Sequence, residues 1–539
     1  MTTGATQAPK AGRREWVALA VIALPCLLYS MDLSVLYLAL PSLAADLRPS
    51  SAQLLWVSDV YGFMLAGFLI TMGTLGDRIG RRRLLLIGAA AFGCASILAA
   101  FATSVPMLIV ARALLGIAAS TLAPSTLSLI RNMFLDQQQR TIAIGIWVTS
   151  FSLGAALGPL LGGVLLHFFW WGSVFLIAVP VMAILLLLGP RLLPEFRNPD
   201  AGHFDLTSAL LSLISLLAIV YSVKDLAQNG FGTTAAAAFV AGLAVGLIFI
   251  RRQLQLAVPL VDLHLFRSPA FSVSLAANTL SLFLIFGSFF LIAQYLQLVL
   301  GLSPLVAGLW SMPSAAGFIA GSMIAPALLR RVGAGWAMAS ALPVATIGLV
   351  LVAQLPGDGR HGLGMLVPAS VLLALGVSPV VTVATDLIVG AAPPERAGEA
   401  SGISETATEL GGALGIALLG SIATAVYRGQ LAHSLPAALT HHQASAAQMT
   451  LADAERLGAS LPAGVGAPLL SAARSAFTDG VHAGAYLGTA LTITLALLAA
   501  TVLRHAQPRQ AIEPAAAASP DVDEATGTPA ADSAIVVAP

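Results

Sequence analysis

The sequence predicts an all-α integral membrane protein with fourteen transmembrane helices. Of its 539 residues, 58% are apolar and only 9% are charged, against roughly 25% charged in an average soluble protein. The apolar residues gather in runs of about 20, the length at which a helix spans a bilayer. This composition excludes a disordered chain, a nucleic-acid binder and an ordinary cytosolic enzyme.

Fourteen runs are long enough to span. They occupy residues 16–42, 53–76, 83–103, 106–130, 141–167, 172–189, 206–223, 233–251, 271–299, 304–329, 335–354, 362–391, 400–427 and 480–503. The first run follows a short basic stretch and is longer than the apolar core of a signal peptide. We therefore interpret it as a retained helix.

The distribution of basic residues supports this number of helices. If the N-terminus is cytoplasmic, nineteen of the 26 Lys and Arg residues lie inside, six lie outside and Arg112 lies within a span. Cytoplasmic loops collect Lys and Arg, and one helix more or fewer in the middle would scramble this division. We expect a multi-pass protein of the cytoplasmic (inner) membrane with both termini in the cytoplasm.

The spans divide into two sets of six around an inserted pair. The predicted organisation is a cytoplasmic N-terminus (1–15), an N-terminal six-helix bundle (16–189), a linker with two extra helices (190–270), a C-terminal six-helix bundle (271–503) with an extracytoplasmic loop (428–479), and a disordered cytoplasmic tail (504–539). Basic turns at 76–81 and 329–334 form a weak internal repeat. Two related halves are a known plan of transporters.

The most distinctive stretch is GTLGDRIGRRR at residues 73–83. It is a short turn in which Gly73 and Gly80 let helix ends approach, with Asp77 among four arginines that include Arg78 and Arg81. Such a cluster can hold helix ends together in one conformation, although charge alone equally suits a basic turn that only sets topology. The order of residues resembles the signature loop G-x-L-[AG]-D-R-x-G-R-[RK] of the major facilitator superfamily.

A second stretch, GAALGPLLGG, contains small residues one helical turn apart, which favour close helix contact. Its residues are Gly154, Gly158, Pro159, Gly162 and Gly163. It resembles the antiporter motif of that superfamily's exporters.

Further stretches resemble the fourteen-spanner drug:proton antiporter family, among them MDLSVLYLALP at 31–41 and WGSVFLIAVP at 171–180. The long loop before the last helix resembles that of its quaternary-ammonium exporters. The resemblance covers residues 30–425. It implies the major facilitator fold, two six-helix bundles plus two inserted helices, with conformational gating by the glycines, proline and charges of the two motifs above.

Ionisable side chains within spans cost about 2.5–3.5 kcal/mol each and are functional candidates. They are Asp32, Asp59, Asp386, Glu405, Glu409 and Arg112. Asp32, Asp59 and Arg112 fall at similar depth, which predicts a buried network. We expect Asp32 to take up and release protons under the influence of Arg112; a static ion-pair cluster is the alternative.

Glu405 and Glu409 are four residues apart and share a helix face near the midplane. Two close carboxylates in a low dielectric do not both stay ionised, so one is expected to hold a proton. Without protons they would attract a lipophilic cation. Asp386 is interpreted as an acid solvated at the cytoplasmic interface.

Aromatic side chains near these acids are candidates for stacking on a cation. They are Tyr37, Trp56, Tyr61, Trp147, Phe151 and Tyr295. Each of them alone suits a core or lipid-facing position as well.

These observations and the resemblance predict a monomeric multidrug-resistance antiporter. Its partners would be small lipophilic cations or drugs, protons and the lipid bilayer, with the proton motive force in place of a cofactor or metal. The alternatives with the same fold are export of a specific antibiotic, a lipid or a siderophore, and a transport-dead membrane sensor. A membrane-embedded transferase would need a catalytic His/Asp or metal constellation, and the nine His residues show no such spacing.

Overall fold

The computed structural model describes residues 9–49, 51–197, 205–229, 232–256, 259–357, 362–393, 396–436 and 438–503. Within these ranges the chain is almost entirely helical and has no strand. The helices are α1 (Arg13–Leu47), α2 (Ser51–Ile79), α3 (Arg81–Ala100), α4 (Val105–Met133), α5 (Gln137–Phe168), α6 (Ser173–Leu176), α7 (Ala178–Leu192), α8 (Leu206–Asn229), α9 (Thr233–Gln255), α10 (Pro269–Gln294), α11 (Pro304–Val352), α12 (Gly362–Ala391), α13 (Ala397–Ser434), α14 (His441–Met449), α15 (Leu451–Ser460) and α16 (Ala463–Val502). The predicted tail at 504–539 lies outside the described residues.

Twelve helices of the described chain have the length and hydropathy that a membrane crossing requires. One of them, α11, has 49 residues, or about 70 Å at 1.5 Å per residue, more than twice the thickness of the hydrocarbon layer. It bends at Gly333, in the interval between the predicted tenth and eleventh spans. The 32-residue helix α5 is not among the twelve. The all-helical fold is confirmed, and the number fourteen stays a prediction.

Two glycines with positive φ mark corresponding turns. Gly80 (φ 107°) joins α2 to α3, and Gly333 (φ 79°) divides α11. Residues with a side chain rarely adopt this region, so both turns favour glycine. The weak repeat between 76–81 and 329–334 therefore has a counterpart in the backbone.

The helices pack in two groups, α1–α7 and α10–α16, and members of each group contact mainly one another. Glycines permit the closest crossings: a Cβ at Gly154 of α5 would overlap the carbonyl oxygen of Leu27 in α1. Small residues let helices approach within a membrane, where lipid is as apolar as the side chains. The groups meet chiefly where α2 crosses α13 and α5 crosses α11. The predicted domain boundaries at 190 and 270 stay a prediction.

The predicted inserted pair forms α8 and α9, which pack on each other. Helix α8 also contacts both groups: Leu213 and Leu217 lie against Gly67 of α2, and Val220 shares an apolar cluster with Phe63 of α2, against which α13 also packs. Helix α9 is largely unburied. The first inserted helix thus bridges the two groups, and the second lies at the periphery.

The segment 428–479 is mostly helical and belongs to the second group. Helix α13 continues to Ser434, and α16 begins at Ala463, well before residue 480, where the sequence predicts the last span to start. The Tyr427 hydroxyl donates to the carbonyl of Ala447 at 2.7 Å. The loop therefore folds back onto the helices that it connects.

Candidate functional site

Many of the described arginines lie at one end of the bundle, which we call the basic end. It carries the turn 78–83, the start of α5 and the start of α13. Here the Asp77 carboxylate accepts the backbone amides of Gly398 (3.1 Å) and Glu399 (3.0 Å), and Arg81 Nε donates to it at 2.7 Å. The first amides of a helix lack acceptors within the helix and carry partial positive charge. Asp77 therefore joins α2 to α13, and its part in gating stays a prediction.

Glycines make this contact possible. A Cβ at Gly73 would overlap the carbonyl oxygen of Gly398, and one at Gly402 would lie 2.9 Å from the carbonyl oxygen of Leu69. Helices α2 and α13 consequently cross backbone to backbone. The sequence predicted a close helix approach at Gly73. It did not indicate Gly398 and Gly402 as the partners, because a pair of small residues is compatible with many helix crossings.

The turn after α2 is held by an acid that the sequence did not single out. Glu195 accepts the amides of Arg82 (3.1 Å) and Arg83 (3.2 Å) at the start of α3, and it lies beside Gly80. Arg78 is partly exposed in the same turn. No local pattern indicates Glu195, since it lies just after α7, more than a hundred residues along the chain from the turn that it contacts.

A second charged contact joins the groups through α5 and α12. Arg140 Nε donates to Asp386 at 2.7 Å, and the Thr141 hydroxyl donates to the other carboxylate oxygen at 2.8 Å. Asp386 is 1% exposed. The interpretation of this acid as solvated at the interface is therefore wrong, because the first turn of α5 covers it. We call the contacts of Asp77 and Asp386 together the basic-end junction.

The glycine motif of α5 lies partly against α1. Gly154 contacts Leu27, and Gly158 and Gly162 are buried, whereas no described atom lies within 4 Å of a Cβ built at Gly163. Pro159 is in the helix, and its side chain lies outside the described atoms. At Gly154 the motif therefore forms a close contact with α1. Its role in gating stays a prediction.

Arg112 joins three helices of the first group. It is fully buried and forms an ion pair with Asp32 of α1. Its Nε donates to the carbonyl of Val57 in α2 at 3.3 Å, and its guanidinium lies 4.6 Å from the ring centroid of Tyr61. The side chain of Asp59 lies outside the described atoms, so its part in this predicted network stays a prediction.

Two acids of α13 lie next to the first group. The Tyr29 hydroxyl of α1 donates a hydrogen bond to the Glu409 carboxylate. Glu405, one turn earlier, is only 5% exposed, and within the described residues its carboxyl has no hydrogen bond or ion pair. Burial of a carboxylate without a partner is costly, so Glu405 is a group that a proton or a cation would satisfy.

Four aromatic rings lie in series beside these acids. The ring centroids are 4.7 Å apart between Trp147 and Phe151, 5.4 Å between Phe151 and Tyr29, and 6.4 Å between Tyr29 and Tyr61. Trp147, Phe151 and Tyr61 are among the predicted aromatics. Tyr29 was not predicted, although it lies three residues before Asp32 on the same helix face, a spacing that could have indicated it.

The other predicted aromatics lie elsewhere. Trp56 is 48% exposed and packs edge-on to Phe63. Tyr295 is buried within the second group, and its hydroxyl donates to the carbonyl of Pro356 at 2.8 Å. The side chain of Tyr37 lies outside the described atoms. The structure therefore does not bring Trp56 and Tyr295 to the aromatic series.

Two facing groups of apolar helices, joined at one end by buried charges and enclosing acids and aromatic rings, define a multi-pass membrane transporter. The chain belongs to the Major Facilitator Superfamily, whose family model matches residues 22–416. It is 46% identical over 495 residues to the multidrug efflux pump LfrA of Mycolicibacterium smegmatis, covering 91% of this chain and 97% of that one. It is 36% identical to the methyl viologen resistance protein SmvA of Salmonella typhimurium, covering 86% and 93%.

A third relative is the tetracenomycin C resistance and export protein of Streptomyces glaucescens, 30% identical with 94% of this chain and 95% of that one covered. Among solved structures, the human organic anion transporter TETRAN superimposes with a TM-score of 0.57 at 16% identity, covering 89% of this chain and 99% of that one. This structural likeness supports the fold alone.

Proposed function

We propose that this protein exports lipophilic cationic drugs across the cytoplasmic membrane in exchange for protons, by alternating access. The names of its relatives, a multidrug efflux pump and two resistance proteins, support drug export. The proton motive force drives the exchange, since a potential of 100 mV contributes about 2.3 kcal/mol for each charge moved.

The observation that carries the proposal is the hydrogen bond from Tyr29 to Glu409, which joins an acid of the second group to the aromatic series of the first. A cation between the groups would face the rings of Tyr29 and Phe151 and the carboxylates of Glu405 and Glu409. Attraction to ring faces and carboxylates is strong where water is scarce. Protonation of the carboxylates removes most of that attraction, which is a physical reason for exchange.

Asp32 is the second proton site in this proposal. Its carboxylate is paired with the buried guanidinium of Arg112. A proton on Asp32 would weaken this pair and so alter the packing of α1, α2 and α4 around Arg112. An ion pair that only fixes packing is the alternative, and Asp32→Asn distinguishes the two through the pH dependence of transport.

The proposed topology follows the basic end. Because basic residues collect on the cytoplasmic side, we assign the basic end and both termini to the cytoplasm. Helix α5 and the second part of α11 bring the twelve apolar helices to fourteen crossings. In this orientation the basic-end junction is the closed cytoplasmic gate, and it opens in the drug-loading half of the cycle.

The test is proton-driven ethidium transport in inside-out vesicles that contain the full chain. We expect Glu409→Gln and Glu405→Gln to reduce transport at least about tenfold, the factor of 1.4 kcal/mol. Glu455→Gln is the control, because Glu455 pairs with Arg474 in the segment 428–479. Unchanged proton-driven transport in Glu409→Gln would contradict the role given to that residue.

A second candidate is a narrower exporter of one antibiotic, favoured by the likeness to the tetracenomycin C export protein. The same fold would also suit an exporter of a lipid or a siderophore. The resistance profile of an efflux-deficient host that expresses this chain separates them: resistance to many unrelated cations supports the first proposal, and resistance to one compound supports the second.

A further inference from the structure

The segment from the inserted helices into α10 lies at the basic-end junction. The Asp262 amide donates to the Glu399 carboxylate, and Asp262 Oδ2 accepts Arg396 Nη1 at 2.7 Å. Two residues earlier, the carbonyl of Leu260 lies 3.2 Å from the hydroxyl of Thr74 in α2. This stretch, the 260–262 segment, therefore contacts the two helices that Asp77 joins.

The inserted helices hold this segment in place. Gln253 of α9 is 3% exposed, and its side-chain oxygen accepts the amides of Leu260 (2.6 Å) and Val261 (3.2 Å). Its side-chain nitrogen donates to the hydroxyl of Ser208 in α8 at 2.7 Å. One buried amide group thus connects α8, α9 and the 260–262 segment.

We propose that the inserted pair stabilises the closed basic-end junction through the 260–262 segment, with Asp262 as its positioning residue. The proposal rests on alternating access, because it concerns the contact that must break when α2 and α13 separate. It assigns a role in the transport cycle to α8 and α9, the helices that are additional to the two groups.

The contacts of the 260–262 segment indicate whether it separates from α2 or from α13 when the junction opens. The Thr74 hydroxyl also lies 3.1 Å from the carbonyl of Ile70 in its own helix, so its single proton is shared between two acceptors. On the other side, Asp262 forms an ion pair with Arg396, just before α13, and its backbone amide donates a hydrogen bond to Glu399 of α13. The segment should therefore stay with α13 and leave α2, because its attachment to α2 is only as strong as the Thr74 contact.

The charges around Asp262 keep it ionised. Partial burial acts to raise its pKa, but hydrogen bonds from the backbone and ring of His264, with the charge of Arg396, outweigh burial and lower the pKa. Glu399 accepts its amide. The other charged groups of the junction are Asp77, Arg78 and Arg81, and the pair of Arg140 with Asp386. The ion pair of Asp262 with Arg396 therefore does not depend on a proton at neutral pH.

The experiment measures opening of the junction directly. In a chain with Cys26→Ser and Cys94→Ser, the variant Ser401→Cys places a thiol on α13 where the native side chain is fully buried. Its rate of reaction with a membrane-impermeant maleimide is measured in inside-out vesicles without drug or proton gradient. We expect Asp262→Asn and Thr74→Val to raise the rate about threefold, within the range of one hydrogen bond.

Matched controls separate this effect from general loosening. Thr74→Ser keeps the hydroxyl, and Asp453→Asn removes an ion pair in the segment 428–479; both should react at the parental rate. The double variant Asp262→Arg with Arg396→Asp, called the exchange variant, reverses both charges of the ion pair and should restore the parental rate. An unchanged rate in Asp262→Asn overturns the proposal, as does an exchange variant that stays fast.

Two further features keep the outcome decisive. If Asp262→Asn does not fold, the comparison of Thr74→Val with Thr74→Ser decides, and equal rates in that pair overturn the proposal. Labelling needs neither drug nor gradient, so a failure of proton-coupled export leaves this test intact. Normal ethidium transport with an unchanged labelling rate would overturn the role of the segment alone.

Discussion

Arg140 of α5 and Asp386 of α12 form a buried ion pair with a distance of 2.7 Å between Nε and Oδ1. Together with Asp77, which binds the start of α13, this gives each group of helices one carboxylate that reaches the other group at the basic end. The two are not symmetric copies, because Arg330 occupies the position of Asp77 in the repeated turn. The second group instead uses an acid from α12.

The first prediction concerns this pair. Asp386→Asn leaves the Arg140 guanidinium without its buried counter-charge, and removing one partner of a buried pair costs about 3–5 kcal/mol. When Asp386→Asn is combined with Ser401→Cys, we expect faster maleimide labelling of the new thiol or a lower midpoint temperature of thermal unfolding. Thr141→Val removes only one hydrogen bond to Asp386, worth about 1 kcal/mol; equal effects of the two variants would contradict the prediction.

The second prediction concerns the crossing of α2 and α13. In Gly73→Ala the new methyl would overlap the backbone of Gly398, which cannot move aside like a flexible side chain. We expect the junction to stay open and ethidium export to fall at least about tenfold, the factor of 1.4 kcal/mol. Gly429→Ala, farther along α13, is the control, since its Cβ would meet no described atom within 4 Å, and it should transport normally. Normal export by Gly73→Ala would show that closure does not need this contact.

The third prediction separates two tyrosine hydroxyls of the aromatic series. Tyr29→Phe keeps the ring and removes the donor to Glu409; a hydrogen bond to a charged group is worth about 1.5–3 kcal/mol. Ethidium transport should fall about tenfold or more. Tyr61→Phe should have little effect, because the Tyr61 hydroxyl has no hydrogen-bond partner in the described part of the chain. Equal activity of both variants argues against a role for the Tyr29 hydroxyl.

The fourth prediction is a pH dependence. A lowered pKa of Asp262 means that its ion pair is fully present above the ordinary carboxyl value of about 3.9 and is lost only as pH falls through the lowered value. In a Glu399→Gln background, which removes the other carboxylate at this contact, the ratio of labelling rates with and without Asp262→Asn should therefore be constant from about pH 6 to about pH 8. A ratio that approaches one as the pH falls within this range would identify another titrating group as the cause.

Much of the candidate site was predictable from single residues and local patterns. Arg112 with Asp32, Glu405 with Glu409, and the turn around Asp77 stand out because charge is rare in apolar helices. Asp386 was misassigned, and the contacts of Glu195 and of the 260–262 segment were not predicted. Each of these has its partner more than a hundred residues away or on a different helix, so no local spacing indicates the contact.

The amino-acid sequence by itself predicted the membrane as the solvent of this protein, its all-helical fold and the set of charges that lie within the helices. It can do so because a membrane helix satisfies its backbone hydrogen bonds within one apolar run. Only the tertiary structure decided which of those charges meet. That depends on how each helix is rotated and which helix it crosses, and close contacts such as Gly73 with Gly398 and Gly154 with Leu27 set both.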